Sequence, residues 1–332
     1  MKVTLHEVAA RAGVSIASVS RALNGEIASA RTIELVTRAA AELGYIPDQR
    51  ARSLKLGATR QLTFAVADVG NPVYVQMLRA VEDAVRESGY RVLISSTRSS
   101  VEAEIELLQS LLRRHSDGLV ISPLRVTEDF LTALDRLTIP AVVIGRLPDD
   151  HPYDIVRTDS AAGVDLAIDH LIGSGRRTIG FLNGPTDTTP GSIRGQAFAA
   201  ALARTELPAA EEHRATAADF TFADGLTAAT ELLDRAPGLD AVLAANDLLA
   251  AAVLHAAHRH GLRVPEDLAV IGMDDSELAS QLMPTLTSVS LGSAERGRRA
   301  AELLLARIAD PSLPAQQVII PPELIIRDSA PS

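Results

Sequence analysis

Polar side chains follow many of the apolar runs in this 332-residue sequence, at the point where each run ends. The runs alternate with amphipathic helical patterns, which predicts parallel strands whose carboxyl ends meet at one edge of a sheet. Carboxylate, amide and guanidinium groups gathered at such an edge can replace water on the vicinal hydroxyl groups of a sugar, through paired hydrogen bonds. The residues in these positions are Asp68, Asn71, Tyr74, Arg146, Asp159, Asn246, Asp247, Asp274 and Asp275.

Asn and Asp at the end of a strand also have a purely structural role, because they commonly cap the helix that follows. For any one of these residues alone, the cap is the more frequent use. The convergence of several of them on one cleft favours binding. A sugar site also needs an aromatic side chain against the C–H face of the ring, and Tyr74 and Phe220 are candidates because they fall in loops.

Signatures of catalysis do not stand out in the sequence. Neither a GxxxxGK[ST] phosphate loop nor a GxSxG nucleophile motif occurs. His255 and His258 lie three residues apart, but His260 points elsewhere, which favours a solvated helix end over a metal site. Asp274 and Asp275 are adjacent at a strand end, so their side chains diverge rather than form a catalytic pair. The sequence therefore predicts no enzyme, no metal site and no cofactor.

Two series of strands and helices position the polar residues. In the first series, strands are predicted at 62–67, 92–94, 118–121 and 141–144, with helices at 73–88, 103–114 and 130–137. In the second, strands are predicted at 178–182, 241–244 and 268–272, with helices at 161–172, 195–204, 226–233 and 248–260. This alternation predicts two doubly wound parallel sheets covered on both faces, hence two α/β lobes with a cleft at the carboxyl ends of the strands.

The chain is expected to pass from the first lobe to the second at 154–159 and to return at 286–291. A helix at 295–308 then packs on the first lobe, and the region 318–326 closes the structure. The first lobe accordingly comprises about 61–158 and 291–320, and the second lobe about 159–290 and 321–328.

The amino-terminal residues predict a separate, all-helical unit. Thr4 begins a capping box, Gly13 provides a left-handed turn, and Ser15 caps a second short helix. Ala17 and Arg21 lie on the free face of that helix, which suits insertion into the major groove of DNA, although an ordinary helical hairpin has the same geometry. A third helix is predicted at 30–43. The three helices are expected to close a small core around Leu5, Val8, Val19, Leu23, Ile33 and Val36.

Charge is unevenly distributed along the chain. The formal net charge is −10, but residues 1–60 carry a net charge of +4 and the remaining residues −14. A basic head on an acidic body fits local contact with DNA while the body is held off the duplex. The sequence has no cysteine, so disulfides and thiolate metal sites are excluded. The first residues lack a secretory signal core and no apolar run reaches membrane length, so a cytoplasmic protein without membrane contact is expected.

The stretch VTLHEVAARAGVSIASVSRALNG resembles the DNA-binding headpiece of the lac repressor (LacI/GalR) family of transcription regulators. In that family the second helix reads the bases of a double-stranded operator. By position, the resemblance implies that Ile16, Ala17 and Arg21 read bases. Further DNA contacts are expected from Ser15, Ser18 and Ser20, together with Thr4 and Asn24.

Residues 47–60 form a basic linker, which is either a solvated tether or a helix too short to be stable alone. The segment ARSLKLG resembles the hinge helix of the family, which folds when it pairs with its dimer mate over the operator. The resemblance implies that Leu54 wedges into the minor groove, with Arg52 and Lys55 near the DNA backbone.

The rest of the chain resembles the family's effector-binding core, which is itself similar to periplasmic sugar-binding proteins. NPVY resembles a segment that follows the first strand of that core. The segments IRGQAF, AAND, GMDD and ADF match further motifs of the family, which implies effector contacts from Arg194, Asn246, Asp274 and Phe220.

Two positions bear on the identity of the ligand. Gly145 stands where many members have an aspartate that contacts ligand, so Arg146 is expected to take a larger share of the binding. Thr188 stands where the purine-responsive relative has an arginine, which disfavours a purine effector.

The sequence therefore predicts a helix-turn-helix headpiece at 1–46, a hinge at 47–60 and a two-lobed, periplasmic-binding-protein-like core for effector binding and dimerisation at 61–332. The expected function is that of a dimeric, ligand-responsive repressor of sugar-metabolism genes that binds a palindromic operator. The chain ends without a leucine-heptad tail, so a homodimer rather than a tetramer is expected. A sugar-binding transport receptor is the main alternative because the core alone fits it, whereas a sugar-processing enzyme lacks candidate residues.

Overall fold

A computed structural model describes residues 3–24, 27–46, 57–113, 115–149, 151–205, 207 and 210–332. The chain forms two units, Met1–Arg60 and Gln61–Ser332. Among the described residues, no helix combines the length and the apolar character needed to cross a bilayer.

The amino-terminal unit contains three helices, α1 (Leu5–Ala12), α2 (Ile16–Asn24) and α3 (Ala30–Leu43). The capping box predicted at α1 is confirmed, since the Glu7 carboxylate accepts the Thr4 amide at 2.7 Å and the Thr4 hydroxyl accepts the Glu7 amide. Gly13 ends α1 with a φ of 68°, and Gly44 ends α3 with a φ of 65°. Both glycines therefore adopt the left-handed conformation that L-residues avoid.

The core of this unit is built from small side chains. Its fully buried residues are Val8, Ala9, Ala12, Val19, Val36, Ala39 and Ala40. The prediction that Ile33 belongs to this core is wrong, because 41% of its surface is exposed. The buried stripe of α3 runs through Val36 and Ala40 and includes Ala39, whose small side chain allows close helix contact, whereas Ile33 lies a turn earlier, in the first turn of α3.

The first lobe of the second unit contains a six-stranded sheet in the order β11-β5-β4-β3-β1-β2, and every pairing in it is parallel. Its strands are β1 (Gln61–Val66), β2 (Arg91–Ser96), β3 (Gly118–Ser122), β4 (Ala141–Ile144), β5 (Asp154–Thr158) and β11 (Gln317–Ile320). Its helices are α4 (Pro72–Arg86), α5 (Val101–Leu111), α6 (Glu128–Asp135) and α12 (Ser293–Ala309).

The second lobe repeats this arrangement, with the strand order β12-β10-β9-β8-β6-β7. Its strands are β6 (Ile179–Asn183), β7 (Arg214–Thr216), β8 (Ala241–Ala244), β9 (Ala269–Asp274), β10 (Thr287–Ser290) and β12 (Glu323–Ile325). Its helices are α7 (Ser160–Gly173), α8 (Thr189–Thr205), α9 (Phe222–Arg235), α10 (Asp247–Arg259) and α11 (Glu277–Gln281). Only the edge pairing of β10 with β12 is antiparallel among the described strands.

The prediction of two doubly wound α/β lobes is confirmed. All residues of β3, β4, β6, β8 and β9 are buried, as expected for strands whose sheets carry helices on both faces. In the first lobe, one cluster around Phe64 and Met77 and another around Ile121 and Phe130 cover the opposite faces of the sheet.

Two segments predicted as crossings between the lobes are strands. Residues predicted to cross at 154–159 form β5 of the first sheet, and those predicted to return at 286–291 form β10 of the second. Both strands are short and carry polar residues, so they lack the apolar run that identified their neighbours. The chain passes between the lobes directly after β5, after β10 and between β11 and β12.

Candidate functional site

The second helix of the amino-terminal unit presents the residues predicted to read bases on its free face. Ile16, Ala17 and Arg21 are exposed, while Val19 is fully buried on the opposite side. Ser15 begins the helix, since its hydroxyl accepts the Ser18 amide at 3.1 Å and contacts the Ser18 hydroxyl at 2.9 Å.

Other residues of the predicted DNA-binding set are distributed around α2 or lie outside the described residues. Thr4 is exposed at the start of α1, and Ser20 is half-buried. Asn24 is the last residue of α2, but its side chain is outside the described part of the chain. Arg52, Leu54 and Lys55 lie outside the described residues.

A cleft of about 330 Å³ lies between the carboxyl ends of the two sheets. Residues from both lobes line it. All nine residues predicted to bind an effector are part of its lining, namely Asp68, Asn71, Tyr74, Arg146, Asp159, Arg194, Phe220, Asn246 and Asp274. Sequence separation among them reaches about 200 residues, so the parallel-sheet topology brings them together.

Several of these residues also cap helices. The same side chain therefore both caps a helix and lines the cleft. The Asn71 side chain accepts the Val73 amide at the start of α4, and the Asp159 carboxylate accepts the Ala162 amide at the start of α7. The Asn246 amide oxygen accepts the Leu249 amide at 2.8 Å. These hydrogen bonds hold the three side chains at the cleft before any ligand arrives.

Two arginines and one aspartate form the buried end of the cleft. Arg194, Arg296 and Asp274 are each less than 10% exposed. One guanidinium nitrogen of Arg194, Nη1, donates to the Ala245 carbonyl at 2.5 Å, and Arg296 donates through Nη2 to the Ser293 hydroxyl at 3.1 Å. Burial lowers the pKa of Arg296 to about 10, while the Asp274 carboxylate opposes that change. Burial raises the pKa of Asp274, and both arginines oppose the rise.

The backbone at Asp274 is held in an unfavourable conformation. Its φ is 119° and that of Asp275 is 49°, both in the region that favours glycine. The Asp275 amide donates to the Ser288 hydroxyl at 3.0 Å, and Ser288 in turn donates to the buried Asp247 carboxylate at 2.5 Å. Asp247 also accepts the amide and hydroxyl of Ser276, both at 2.7 Å. This network fixes the turn that aims Asp274 into the cleft.

The aromatic candidates both line the cleft, although the prediction that Tyr74 falls in a loop is wrong, because Tyr74 lies in the first turn of α4. Tyr74 is 7% exposed and Phe220 is 9% exposed. Burial raises the pKa of the Tyr74 hydroxyl to about 12, and the Asp274 carboxylate adds to the rise, so Tyr74 remains neutral across the physiological range. Phe220 packs against Gly184 so closely that a Cβ on that glycine would lie 2.3 Å from the Phe220 ring.

Sequence reasoning missed two arginines of the cleft. Arg296 lies on α12, between the charged residues Glu295 and Arg298. It falls on the same helical stripe as the buried Ala300 and Leu304, and an arginine on an apolar stripe was the signal that could have revealed it. Arg157 lies near the end of β5, a strand that was not predicted.

Hydrogen bonds and ion pairs join the lobes around the cleft. Arg125, after β3, makes two hydrogen bonds to the Asp187 carboxylate, which follows β6, at 2.7 and 3.1 Å. A third nitrogen of Arg125 donates to the Ser99 carbonyl at 2.9 Å. On the other side of the cleft, Arg79 of α4 pairs with Glu277 of α11 at 2.5 Å. The described part of the chain contains no group of three or more His, Asp and Glu side chains arranged to hold a metal ion.

Comparison with known proteins gives a match for the amino-terminal unit and a match within the two-lobed unit. The profile of bacterial regulatory proteins of the lacI family matches residues 4–48, and that of the periplasmic binding protein-like domain matches residues 168–330. The ribose operon repressor of Escherichia coli strain K12 is 34% identical over 329 residues, which cover 98% of this chain and 99% of the repressor. The chain belongs to the lacI family of bacterial regulatory proteins.

Solved structures of this family are similar over the whole chain. The lac repressor dimer bound to operator and the anti-inducer ONPF is 28% identical, with a TM-score of 0.87 and full coverage of both chains. The complex of the transcriptional regulator CelR with cellobiose is 34% identical, with a TM-score of 0.75, and covers 99% of this chain and 100% of its own. The lacI family protein described here is therefore a DNA-binding transcriptional regulator that responds to a ligand.

Proposed function

We propose that this lacI family protein is a homodimeric repressor that binds a pseudo-palindromic operator and is controlled by a sugar or sugar derivative bound in its cleft. The observation that carries the proposal is the presence, in one chain, of an exposed α2 face and of a cleft lined by all nine residues expected to bind the effector. The ribose repressor and the CelR–cellobiose complex support a sugar-sized ligand.

The proposed domain roles follow the sequence boundaries. Residues 1–46 read DNA, residues 47–60 act as a hinge with Leu54 in the minor groove, and residues 61–332 bind the effector and dimerise. Ligand that prefers one arrangement of the two lobes shifts the population of that arrangement, and this changes operator affinity through the hinge. By linkage, operator changes ligand affinity by the same factor. The protein acts in the cytoplasm and performs no chemistry on its ligand.

The proposal is tested first at the reading helix. Arg21→Ala should weaken binding to the operator by about 1–3 kcal/mol if Arg21 pairs with a guanine, because a bidentate pair discriminates bases by that amount. Binding to random duplex of the same length should change far less. The operator is selected from a random duplex pool by the intact protein, and affinities are measured at fixed salt, because phosphate contacts depend strongly on it.

Arg38→Ala is the matched control. Arg38 is exposed on α3 rather than on the free face of α2, so its loss should leave base discrimination unchanged. Equal losses on operator and random DNA for Arg21→Ala would remove Arg21 from base reading. Failure of the intact protein to select any sequence would reject the repressor function itself.

A further inference from the structure

Four arginines line the cleft, and most of them have a donor without a protein acceptor. They are Arg146, Arg157, Arg194 and Arg296. The Nε atoms of Arg157, Arg194 and Arg296 are buried and have no hydrogen-bond partner among the described residues. A buried donor is costly to leave unpaired, so the cleft is built to receive acceptor atoms from its ligand.

Of the described carboxylates that line the cleft, Asp274 is the one that acts electrostatically on both Arg194 and Arg296. Asp68, Asp159 and Asp219 each accept a backbone amide near their own position in the chain. Asp274 lies at the buried end, where Arg194 and Arg296 both oppose the rise of its pKa. One carboxylate thus faces two buried guanidinium groups.

Asp247, behind Asp274, also acts electrostatically on Arg194. Its oxygens already accept hydrogen bonds from Ser276 and Ser288, and burial together with the Asp274 charge raises its pKa. Asp247 therefore directs its oxygens to these serines and leaves the guanidinium donors of the cleft unpaired. The buried end of the cleft accordingly offers free Nε donors of Arg194 and Arg296 to a ligand.

The location of Arg296 makes a packing role a poor explanation for this residue. Helix α12 packs against α4 and against β3, β4 and β5. The neighbouring Gly297 allows α12 to approach the Met77 backbone of α4, since a Cβ at Gly297 would lie 2.4 Å from the Met77 carbonyl oxygen. An apolar side chain would suit such a tight contact, whereas a buried guanidinium is unfavourable unless it is paired. The charge of Arg296 accordingly points to a ligand.

We propose that the effector is an anionic sugar derivative whose carboxylate or phosphate group binds between Arg296 and Arg194, with its hydroxyl groups toward Asp274 and Asn246. This inference rests on the proposed function. The planar guanidinium matches carboxylate and phosphate oxygens with two parallel hydrogen bonds, which a neutral hydroxyl cannot provide. A cavity of about 330 Å³ is within the usual range for a small-molecule site and accommodates a monosaccharide with such a group.

The experiment compares neutral sugars with their charged derivatives. Calorimetric titration of the intact protein uses ribose, ribonate and ribose 5-phosphate, and then glucose, gluconate and glucose 6-phosphate. At least one charged member should bind tenfold or more tightly than its neutral parent. Binding of the acid identifies a carboxylate group, and binding of the phosphate ester identifies a phosphate group. If no charged member binds more tightly than its parent, the proposal is overturned.

Arg296→Gln tests the residue itself. The variant should lose at least tenfold in affinity for the charged ligand while the weak affinity for the neutral parent stays the same, so discrimination disappears. Arg298→Gln is the matched control on the same helix, because Arg298 is exposed and pairs with Glu295 and Glu302 outside the cleft. Operator binding and melting temperature of Arg296→Gln without ligand verify that the variant is folded. Unchanged discrimination in Arg296→Gln contradicts the assignment.

The outcomes separate this inference from the proposed function. A neutral sugar that binds best and releases or strengthens operator binding would overturn the anionic ligand but retain the ligand-controlled repressor. Loss of sequence-specific DNA binding by the intact protein would reject the repressor, whatever the cleft binds.

Discussion

Glu104 is a buried carboxyl group in the first lobe, on α5, and it lacks a full set of hydrogen-bond partners. It is 3% exposed. Its Oε1 accepts the Thr97 hydroxyl at a long 3.5 Å, and its Oε2 has no partner among the described residues. Burial raises the pKa of Glu104 to about 8, even though Thr97 and Arg125 favour the charged form. The folded protein therefore retains a proton at pH 7 that the unfolded chain releases.

This residue makes stability depend on pH. Between the unfolded pKa of about 4.3 and the folded pKa, the native state binds more protons than the unfolded state, so the free energy of unfolding falls as pH rises through that window. The fall attributable to Glu104 should be roughly 2–4 kcal/mol, since one pKa unit corresponds to about 1.4 kcal/mol. Glu104→Gln should remove this fall in the free energy of unfolding. Urea unfolding of both proteins at pH 5 and at pH 8 measures the difference.

Glu102→Gln is the control for this prediction. Glu102 lies two residues away, is exposed, and accepts the Ser100 hydroxyl, which lowers its pKa. Its replacement should leave the decline between pH 5 and pH 8 in place. Identical pH profiles for wild type and Glu104→Gln would show that Glu104 is ionised in the folded protein.

Local chemistry explains which individual residues could be predicted. Thr4, Gly13 and Ser29 act within three or four residues of their own position, so their roles as caps and turns followed from neighbours in the sequence. The residues predicted to line the cleft followed from strand ends. Arg296 could not be predicted in this way, because it lies within a helix rich in charged residues and not at the end of a strand.

At the scale of elements, the packing of α12 against α4 is the contact that fixes the buried end of the cleft. Gly297 sits where these helices meet. Gly297→Ala would place a Cβ 2.4 Å from the Met77 carbonyl oxygen and 3.0 Å from its Cα, so the helices must separate. Overpacking of this kind should lower the free energy of unfolding by about 1–3 kcal/mol. Ligand affinity should fall as well, because Arg296 moves with the helix.

Gly173→Ala is the matched control for this helix contact. Gly173 is the last residue of α7, and a Cβ there would meet nothing within 4 Å. Its replacement should leave stability unchanged or raise it by up to about 1 kcal/mol through helix propensity. Denaturant unfolding of both variants gives the comparison. A neutral Gly297→Ala variant would mean that α12 does not depend on this close approach.

Element boundaries were predictable where the apolar pattern was strong. Strand β4 and strand β8 have four buried apolar residues each, and both were placed at the correct residues. Strand β5 contains Asp154 and Arg157, and β10 consists of Thr, Ser and Val. Their pairing partners lie in distant segments, so only the tertiary fold identifies them as strands. The three-residue strand β7 was not predicted, for the same reason.

For the whole molecule, the contacts across the cleft decide how readily the lobes separate. Arg125 joins the lobes through its ion pair with Asp187. Because the pair is partly exposed, its loss should cost only about 0.2–1 kcal/mol. Arg125→Ala should therefore speed ligand dissociation by about 1.5- to 5-fold and leave the melting temperature nearly unchanged. Stopped-flow measurement of the dissociation rate tests this.

Arg263→Ala serves as the comparison, since Arg263 makes an equivalent two-point ion pair with Asp267 within the second lobe. It spans no cleft, so its loss should not alter ligand dissociation. If both variants release ligand at the wild-type rate, the Arg125–Asp187 pair does not restrain lobe opening.

The path of the chain has a consequence for protein synthesis. The first lobe is complete only when β11 pairs with β5, and Gln317 lies opposite Ile155 in that pairing. A ribosome adding about 5–20 residues per second needs roughly 8–30 s to make the intervening segment. During that interval the edge of β5 is exposed and the second lobe is emerging beside it. The nascent chain thus has an open sheet edge for about half of its translation, and shielding of that edge by a chaperone would protect it from aggregation.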